Sequence, residues 1–315
     1  MDHAALKTGQ SGYLDVGDGH QLYYETYGNP EGIPVLYLHG GPGYGFSDKD
    51  KRFFDSTHFH AILFDQRGAS RSKPYASLEK NTTQELVADI SKVLDHFSIE
   101  KTILFGGSWG STLALLYAIE NPSRVTGMVL RGIFPATRDS INHFFSGAVE
   151  LYYPEAWERF ISLVPTEKRK EVVGYYYQMI RSKDEKKSLR YAFELSYYGF
   201  SVSRKTIPFP EEEVVQMIKN EPYKAHALME AHYAVNHFFL PDNFIYNNLG
   251  KINQIPTYII HGRFDVICPP VLAYRLHKGL PNASLEFVDA GHAAFEPEIE
   301  VKLKSALESI ANLKK

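Results

Sequence analysis

Short apolar runs that end in turns rich in glycine or charged residues are the feature that most constrains the fold of this 315-residue chain. Helical patterns separate several of these runs, so strand and helix alternate along the sequence. Strands that are apolar throughout are typical of a parallel sheet covered by helices on both faces. We therefore predict an α/β fold with a mostly parallel, doubly covered sheet. Its strands are expected at 21–27, 35–38, 61–64, 102–105, 125–130, 256–260 and 285–288.

The helical patterns divide the chain into two regions. Helices that cover the sheet are expected at 82–97, with Thr82 or Thr83 as N-cap, and at 111–120, 271–279 and 297–312. Residues 136–250 interrupt the alternation, because they are charged and aromatic with few strand signals. The sequence thus predicts a core formed by 1–135 and 251–315, and an inserted helical cap domain formed by 136–250. Such an insertion is expected above the carboxyl ends of the strands, where ligands bind in open α/β sheets.

Composition and charge exclude several classes of protein. The net charge of −3 provides no basic field that would attract nucleic acid or anionic lipid. No apolar stretch approaches about 20 residues, so no membrane-spanning helix is expected. Cys268 is the single cysteine and cannot form an internal disulfide. Because the N-terminus also lacks the apolar run of a secretory signal, we predict a cytoplasmic location.

The sharpest local signal is the segment Gly106-Gly107-Ser108-Trp109-Gly110. It follows an apolar strand and opens a predicted helix, which is the context of the G-x-S-x-G nucleophile elbow. Such a tight turn forces its middle residue into strained backbone angles, and the flanking glycines let neighbouring backbone pass closely. We therefore predict that the serine oxygen is held above the sheet. Since the motif is short, a glycine-rich turn with an incidental serine is the alternative.

Asp265 and His292 are the partners that a serine nucleophile requires. The serine needs a base, and the base needs a carboxylate that orients it. In this architecture the acid and then the histidine follow the serine along the chain. Asp265 and His292 each follow a predicted strand, so both are expected at one edge of the sheet. Their order predicts a catalytic triad with Ser108, although each alone is a common turn residue; Asp289 is the rival acid.

Two backbone amides complete the predicted catalytic centre. A tetrahedral oxyanion needs two hydrogen-bond donors aimed at it. One is the amide of Trp109, which follows the nucleophile. The other comes from the glycine-rich segment at 39–43 (HGGPG), where we assign Gly41, with Gly40 as the alternative.

Glycines and histidines elsewhere indicate neither a nucleotide nor a metal. No G-x-G-x-x-G opens the first helix, and no G-x-x-x-x-G-K-[ST] occurs. The pairs His58/His60 and His232/His237 lack the H-E-x-x-H spacing of a zinc site. The sequence therefore gives no basis for binding a nucleotide phosphate and predicts no metal.

Taken together, these motifs resemble those of the proline iminopeptidases, which are serine peptidases of the α/β-hydrolase fold. The resemblance covers nearly the whole chain. It depends on the glycine motifs at 39–43 and 106–110, and on 65–68 (DQRG), 130–134 (LRGIF), 154–159 (PEAWER), 261–265 (HGRFD) and 291–292 (GH). It implies an α/β-hydrolase fold and an enzyme that needs no cofactor. The implied reaction is release of an N-terminal proline from peptides through an acyl-enzyme intermediate.

The resemblance also implies which cap residues bind the free amino group of the peptide. It places this role on Glu194 and Glu230. A buried carboxylate would be left unpaired when no ammonium group is bound. It would therefore distinguish a terminal amine from an internal amide. An exposed helix carboxylate is the alternative interpretation of each. Because a fold does not determine a substrate, an esterase, an amidase or an aminopeptidase of broader specificity remains the alternative function. The sequence indicates no oligomeric state.

Overall fold

Within residues 8–205 and 210–313, which this computed structural model describes, eight strands form one sheet. They are β1 (Thr8–Gly17), β2 (His20–Gly28), β3 (Ile33–Leu38), β4 (Phe59–Phe64), β5 (Thr102–Gly107), β6 (Val125–Arg131), β7 (Thr257–Gly262) and β8 (Ala283–Val288). Their order across the sheet is β1-β2-β4-β3-β5-β6-β7-β8. The strands from β3 to β8 pair in parallel, and β2 pairs antiparallel with β1 and β4. The predicted α/β fold is confirmed.

Helices cover both faces of this sheet. They are α1 (Thr83–His96), α2 (Trp109–Glu120), α10 (Pro270–Gly279) and α11 (Pro297–Asn312). Neighbouring residues of a strand point to opposite faces of the sheet. Leu36 and Leu104 therefore join the core beneath α1, α2 and α10. Val35 and Ile103 join the core beneath α11 on the other face. Both faces are therefore buried, as continuous apolar strands predict.

The described part of the chain between β6 and β7 is mainly helical. It contains α3 (Arg138–Phe145), α4 (Pro154–Ser162), α5 (Val172–Ile180), α6 (Glu185–Ser201), α7 (Glu211–Lys219), α8 (Tyr223–Val235) and α9 (Phe244–Asn248). Aromatic rings hold several of these helices together: the Phe160 ring lies 4.4 Å from that of Tyr198 and 4.5 Å from that of Tyr176, centroid to centroid. No helix among the described residues is both long and apolar enough to cross a bilayer.

β1 is a strand that the sequence pattern did not predict. Its sequence, TGQSGYLDVG, contains three glycines and few apolar residues. It forms by antiparallel pairing with β2, where Tyr13 lies opposite Tyr23 and the two rings meet edge to face. Pairing with a neighbouring strand therefore outweighs the weak local preference. Thr82 occupies the predicted N-cap position of α1, but its hydroxyl contacts the Glu85 carboxylate instead of a helix amide.

The packing of α2 against β3 and β5 leaves space only for glycine at two positions. A Cβ atom on Gly110 would lie 1.9 Å from the carbonyl oxygen of Leu38. A Cβ atom on Gly106 would lie 2.3 Å from the carbonyl oxygen of Gly110. Both contacts are with backbone, so no side-chain rearrangement relieves them. The two glycines of the G-x-S-x-G motif are thus required by the close crossing of strand and helix.

Replacing Gly110 should destabilise the fold. Gly110→Ala forces α2 away from β3, and overpacking of this kind costs about 1–3 kcal/mol. Gly250→Ala is the matched control, since nothing lies within 4 Å of its added Cβ. It should change the free energy of unfolding by less than about 0.5 kcal/mol. Urea denaturation of both variants measures the difference, and equal stabilities would contradict the packing argument.

Candidate active site

Ser108 lies in the turn between β5 and α2 with a strained backbone. Its φ is 56° and its ψ is −125°, a conformation that residues other than glycine seldom adopt. The Ser108 amide donates a hydrogen bond to the carbonyl of Arg131 at 3.0 Å. The Ser108 carbonyl accepts hydrogen bonds from the amide and the hydroxyl of Ser111, at 2.8 and 2.6 Å. These bonds fix the turn, and Ser108 lines a cavity.

His292 and Asp265 form a buried hydrogen-bonded pair. Nδ1 of His292 lies 2.8 Å from Oδ2 of Asp265, and Oδ1 of Asp265 accepts from the amides of Ile267 and Cys268 at 3.0 and 2.8 Å. Burial opposes ionisation of the Asp265 carboxyl, but the His292 ring and the backbone donors outweigh it and lower its pKa. Asp265 is therefore an oriented, ionised carboxylate. Asp289, the rival acid, is exposed and pairs with a lysine instead.

The structure brings Ser108 and His292 to the same cavity. Within the described part of the chain, the ring of His292 is hydrogen-bonded to Asp265, and no hydrogen bond joins it to the Ser108 hydroxyl. Gly132 provides the space for the ring, because a Cβ there would lie 2.9 Å from Cε1 of His292. Its φ of 53° also favours glycine. No role was predicted for Gly132 from the sequence, although it lies in the segment LRGIF at 130–134.

The predicted oxyanion donors also lie near Ser108. Trp109 is the first residue of α2, so its amide is among those without an acceptor inside the helix. Gly40 and Gly41 both line the cavity, and a Cβ on Gly40 would lie 3.5 Å from that of the serine. Gln66 links the two segments: it accepts from the Trp109 indole at 2.9 Å and donates to the His39 carbonyl at 3.0 Å. The structure therefore leaves both glycines as candidates.

The cavity lies between the sheet and the inserted helices and has a volume of about 330 Å³. Its lining combines polar groups of the core with apolar and acidic groups of the insertion. The core contributes Tyr37, Gly40, Gly41, Ser47, Lys49, Asp50, Ser108, Arg131, Ile267 and His292, and the insertion contributes Phe144, Phe200, Ser203, Glu221, His226 and Glu230, among others. The predicted nucleophile and histidine thus face residues of the insertion across one space.

Glu230 and His226 lie one turn apart on α8 and both line the cavity. Burial raises the pKa of Glu230 to about 8. Burial, together with the nearby His39, lowers the pKa of His226 to about 4. Both side chains are therefore mostly uncharged at neutral pH. A cation that enters the cavity would favour the ionised form of Glu230.

Glu221 is the second acidic residue that the insertion contributes to the cavity lining, and it was not predicted from the sequence. It lies between α7 and α8 and faces Tyr44. Burial raises the pKa of the Glu221 carboxyl, and a hydrogen bond with Tyr44 partly opposes this rise. An acidic residue between two helices carries no local signal of its own, so only the packing of the insertion reveals its position.

Glu194, in contrast, does not line this cavity. Its two carboxylate oxygens accept hydrogen bonds from the guanidinium of Arg159 at 2.7 and 3.2 Å. Gly199, which does line the cavity, is five residues further along α6. Five residues turn a helix by about 140°, so Glu194 faces α4 instead. In this structure Glu194 thus pairs with Arg159 and does not line the cavity, and its role beside a substrate amine stays a prediction.

Comparisons with known proteins agree with this fold. Residues 33–298 match the family model described as alpha/beta hydrolase fold. An esterase from Exiguobacterium antarcticum has a similar structure, with a TM-score of 0.67 at 20% identity over 96% of this chain and 99% of that one. This likeness concerns the fold alone. The chain is thus a member of the α/β-hydrolase-fold proteins.

Sequence relatives identify the family more closely. The chain is 42% identical to a proline iminopeptidase of Arabidopsis thaliana over 315 residues, which cover 99% of this chain and 82% of the relative. It is also 42% identical to a proline iminopeptidase of Neisseria meningitidis serogroup A over 306 residues, 95% of this chain and 96% of the relative. The chain belongs to the proline iminopeptidase family, as the motifs predicted.

The raised pKa of Glu230 should make stability depend on pH. A glutamate in the unfolded chain titrates near pH 4.3, and Glu230 in the folded protein titrates near 8. Its contribution to stability is therefore complete below about pH 4.3 and is lost as the pH rises through 8. Relative to Glu230→Gln, the native protein should lose a few kcal/mol between about pH 5 and 8. Urea unfolding at several pH values measures this; a pH-independent difference would contradict it.

Proposed function

We propose that this protein is a serine aminopeptidase that releases an N-terminal proline from peptides. The observation that carries the proposal is that a half-buried carboxylate with a raised pKa, Glu230, shares a cavity with Ser108 and His292. Membership of the proline iminopeptidase family supports the same reaction. In this proposal, residues 1–135 and 251–315 form the catalytic core, and residues 136–250 form the cap that recognises the amine.

The proposed reaction begins with attack by Ser108. His292 removes the hydroxyl proton as the serine oxygen attacks the carbonyl carbon of the N-terminal proline. Asp265 holds the ring through Nδ1 and stabilises its charged form. The amides of Trp109 and Gly41 stabilise the oxyanion that develops on the carbonyl oxygen. His292 then donates its proton to the departing amine of the shortened peptide.

The second half of the reaction returns the enzyme to its starting state. A water molecule takes the place of the departed peptide and gives a proton to His292 as it attacks the prolyl ester of Ser108. The tetrahedral species then collapses, the serine recovers its proton, and proline leaves. No metal or cofactor takes part in any of these steps. The single buried cysteine fits a reducing compartment, and we include a cytoplasmic location in the proposal.

Glu230 would provide the preference for a free amino terminus. A protonated amine in the cavity compensates the burial that keeps this carboxyl neutral, so amine and carboxylate stabilise each other. A peptide whose amine is blocked brings no such partner and loses this interaction. The proposal leaves Glu194 out of this role, since its carboxylate pairs with Arg159 and does not line the cavity. Peptides with a free N-terminal proline are therefore the proposed substrates.

One observation favours a broader aminopeptidase as the second candidate. The apolar lining residues Phe144, Phe200 and Ile267 present no polar group that would distinguish a proline ring from another small apolar side chain. Discrimination between apolar groups of similar size is usually modest. The same triad would then act on several N-terminal residues.

A panel of aminoacyl arylamides, each free and N-blocked, tests the proposal. We expect the highest kcat/KM for free prolyl arylamide, at least about 100-fold above its N-blocked form, because the blocked amine cannot pair with the Glu230 carboxylate. Equal rates for free and blocked substrates would instead favour an esterase or amidase. Equal rates for several small apolar residues would favour the broader aminopeptidase.

Glu230→Gln should selectively weaken the use of substrates with a free amine. Loss of a charge-assisted hydrogen bond should lower kcat/KM for prolyl arylamide by about 10- to 100-fold, mainly through KM. Turnover of an N-blocked ester should change little. Glu194→Gln is the matched control and should change both rates by less than about 2-fold, as its partner is Arg159. Equal effects of the two variants would show that the amine site is assigned incorrectly.

A further inference from the structure

The backbone of His292 is held by a segment of the inserted region. The amides of His292 and Ala293 both donate hydrogen bonds to the carbonyl of Ser203, each at 2.8 Å. Ser203 lies just beyond the C-terminal end of α6 and also lines the cavity. The loop that carries the histidine is therefore attached to the same segment that a bound substrate would touch.

This segment lies directly against the residue before His292. A Cβ atom on Gly291 would lie 2.8 Å from the carbonyl carbon of Arg204 and 2.8 Å from the amide nitrogen of Lys205. Both are backbone atoms, so a side chain at 291 would push the segment away. The absence of a side chain at Gly291 permits the two hydrogen bonds to the Ser203 carbonyl.

Glu296 joins the two sides of this contact. Its Oε1 accepts a hydrogen bond from the Gly291 amide at 2.8 Å, and its Oε2 accepts one from the Lys205 amide at 3.3 Å. One carboxylate thus bridges the histidine loop and the cap segment. In addition, Nη1 of Arg131 donates to the His292 carbonyl at 2.6 Å. Both backbone polar groups of His292 therefore have fixed partners.

We propose that Glu296 is a positioning residue, which sets the place of the His292 imidazole by fastening its loop to the cap segment Ser203–Lys205. Asp265 holds one ring nitrogen, but the other must also align with the Ser108 hydroxyl. A misplacement of about 1 Å in such a geometry can cost about 100-fold in rate. A residue that touches neither substrate nor ring can therefore control the chemical step.

This inference rests on the proposed roles of Ser108 and His292. The experiment distinguishes failure of the inference from failure of these roles. The readouts are kcat and KM for prolyl arylamide, the rate of labelling by a small fluorophosphonate, and thermal unfolding. Glu296→Ala removes both hydrogen bonds of the bridge, and Glu296→Gln keeps the size but removes the charge. Gly291→Ala displaces the cap segment while Glu296 stays intact.

The control variant is Glu298→Ala. Glu298 lies in the first turn of α11, two residues after the N-cap Glu296, and its carboxylate accepts a hydrogen bond from the Asp289 amide at 3.0 Å. Glu298→Ala thus removes the same kind of hydrogen bond from the same loop, without touching the cap segment. If the role of Glu296 were purely structural, Glu296→Ala and Glu298→Ala would have similar effects on stability, and neither would change kcat.

We expect Glu296→Ala and Gly291→Ala to lower kcat and the labelling rate by about 10- to 100-fold, with KM within about 2-fold of the native value. Glu296→Gln should lose less, and Glu298→Ala should retain native rates. Native kcat in both Glu296→Ala and Gly291→Ala, or an effect on KM alone, would overturn the inference. If Glu296→Ala does not fold, the kcat values of Glu296→Gln and Gly291→Ala test the inference in its place. Failure of the native protein to label at Ser108 would instead contradict the proposed function.

Discussion

The close crossing of α2 over β3 is the constraint on which the rest of the site depends. Because the backbone at Gly110 lies against the Leu38 carbonyl, the chain between β5 and α2 has no room for a relaxed turn. Ser108 consequently adopts a positive φ, and its side chain lines the cavity. The turn stores strain at the one residue whose hydroxyl the proposed reaction uses. The parallel pairing of β5 to β8 then brings the other groups to the same edge of the sheet.

Two carboxyl groups near this edge differ because their surroundings differ. Asp265 is buried but receives hydrogen bonds from His292 and two amides, and its pKa falls. Glu230 is half-buried, and within the described part of the chain its carboxyl has no comparable hydrogen-bond donors, so its pKa rises to about 8. The first is suited to hold an imidazolium, and the second to receive a cation from outside. Pairs of titratable groups whose environments separate their pKa values are typical of active sites.

The sequence could predict those features that local patterns determine. Apolar runs and the turns after them located the parallel strands, and the chain order of Ser108, Asp265 and His292 follows from where those strands end. β1 could not be predicted, since its glycine-rich sequence becomes a strand only by pairing with β2. The positions of Glu194 and Glu221 depend on how the inserted helices pack. No local pattern shows that the Glu194 carboxylate pairs with Arg159, whereas Glu221 lines the cavity.

The most direct test of the central idea is to map the residue that a fluorophosphonate modifies in the folded native protein. Peptide mass spectrometry after brief labelling should find a single adduct, on the peptide that contains Ser108. Replacing His292 by alanine should abolish it, because the hydroxyl then lacks its base. An adduct on another residue, or an unmodified Ser108 in protein shown to be folded, would contradict the assignment of this serine as the nucleophile.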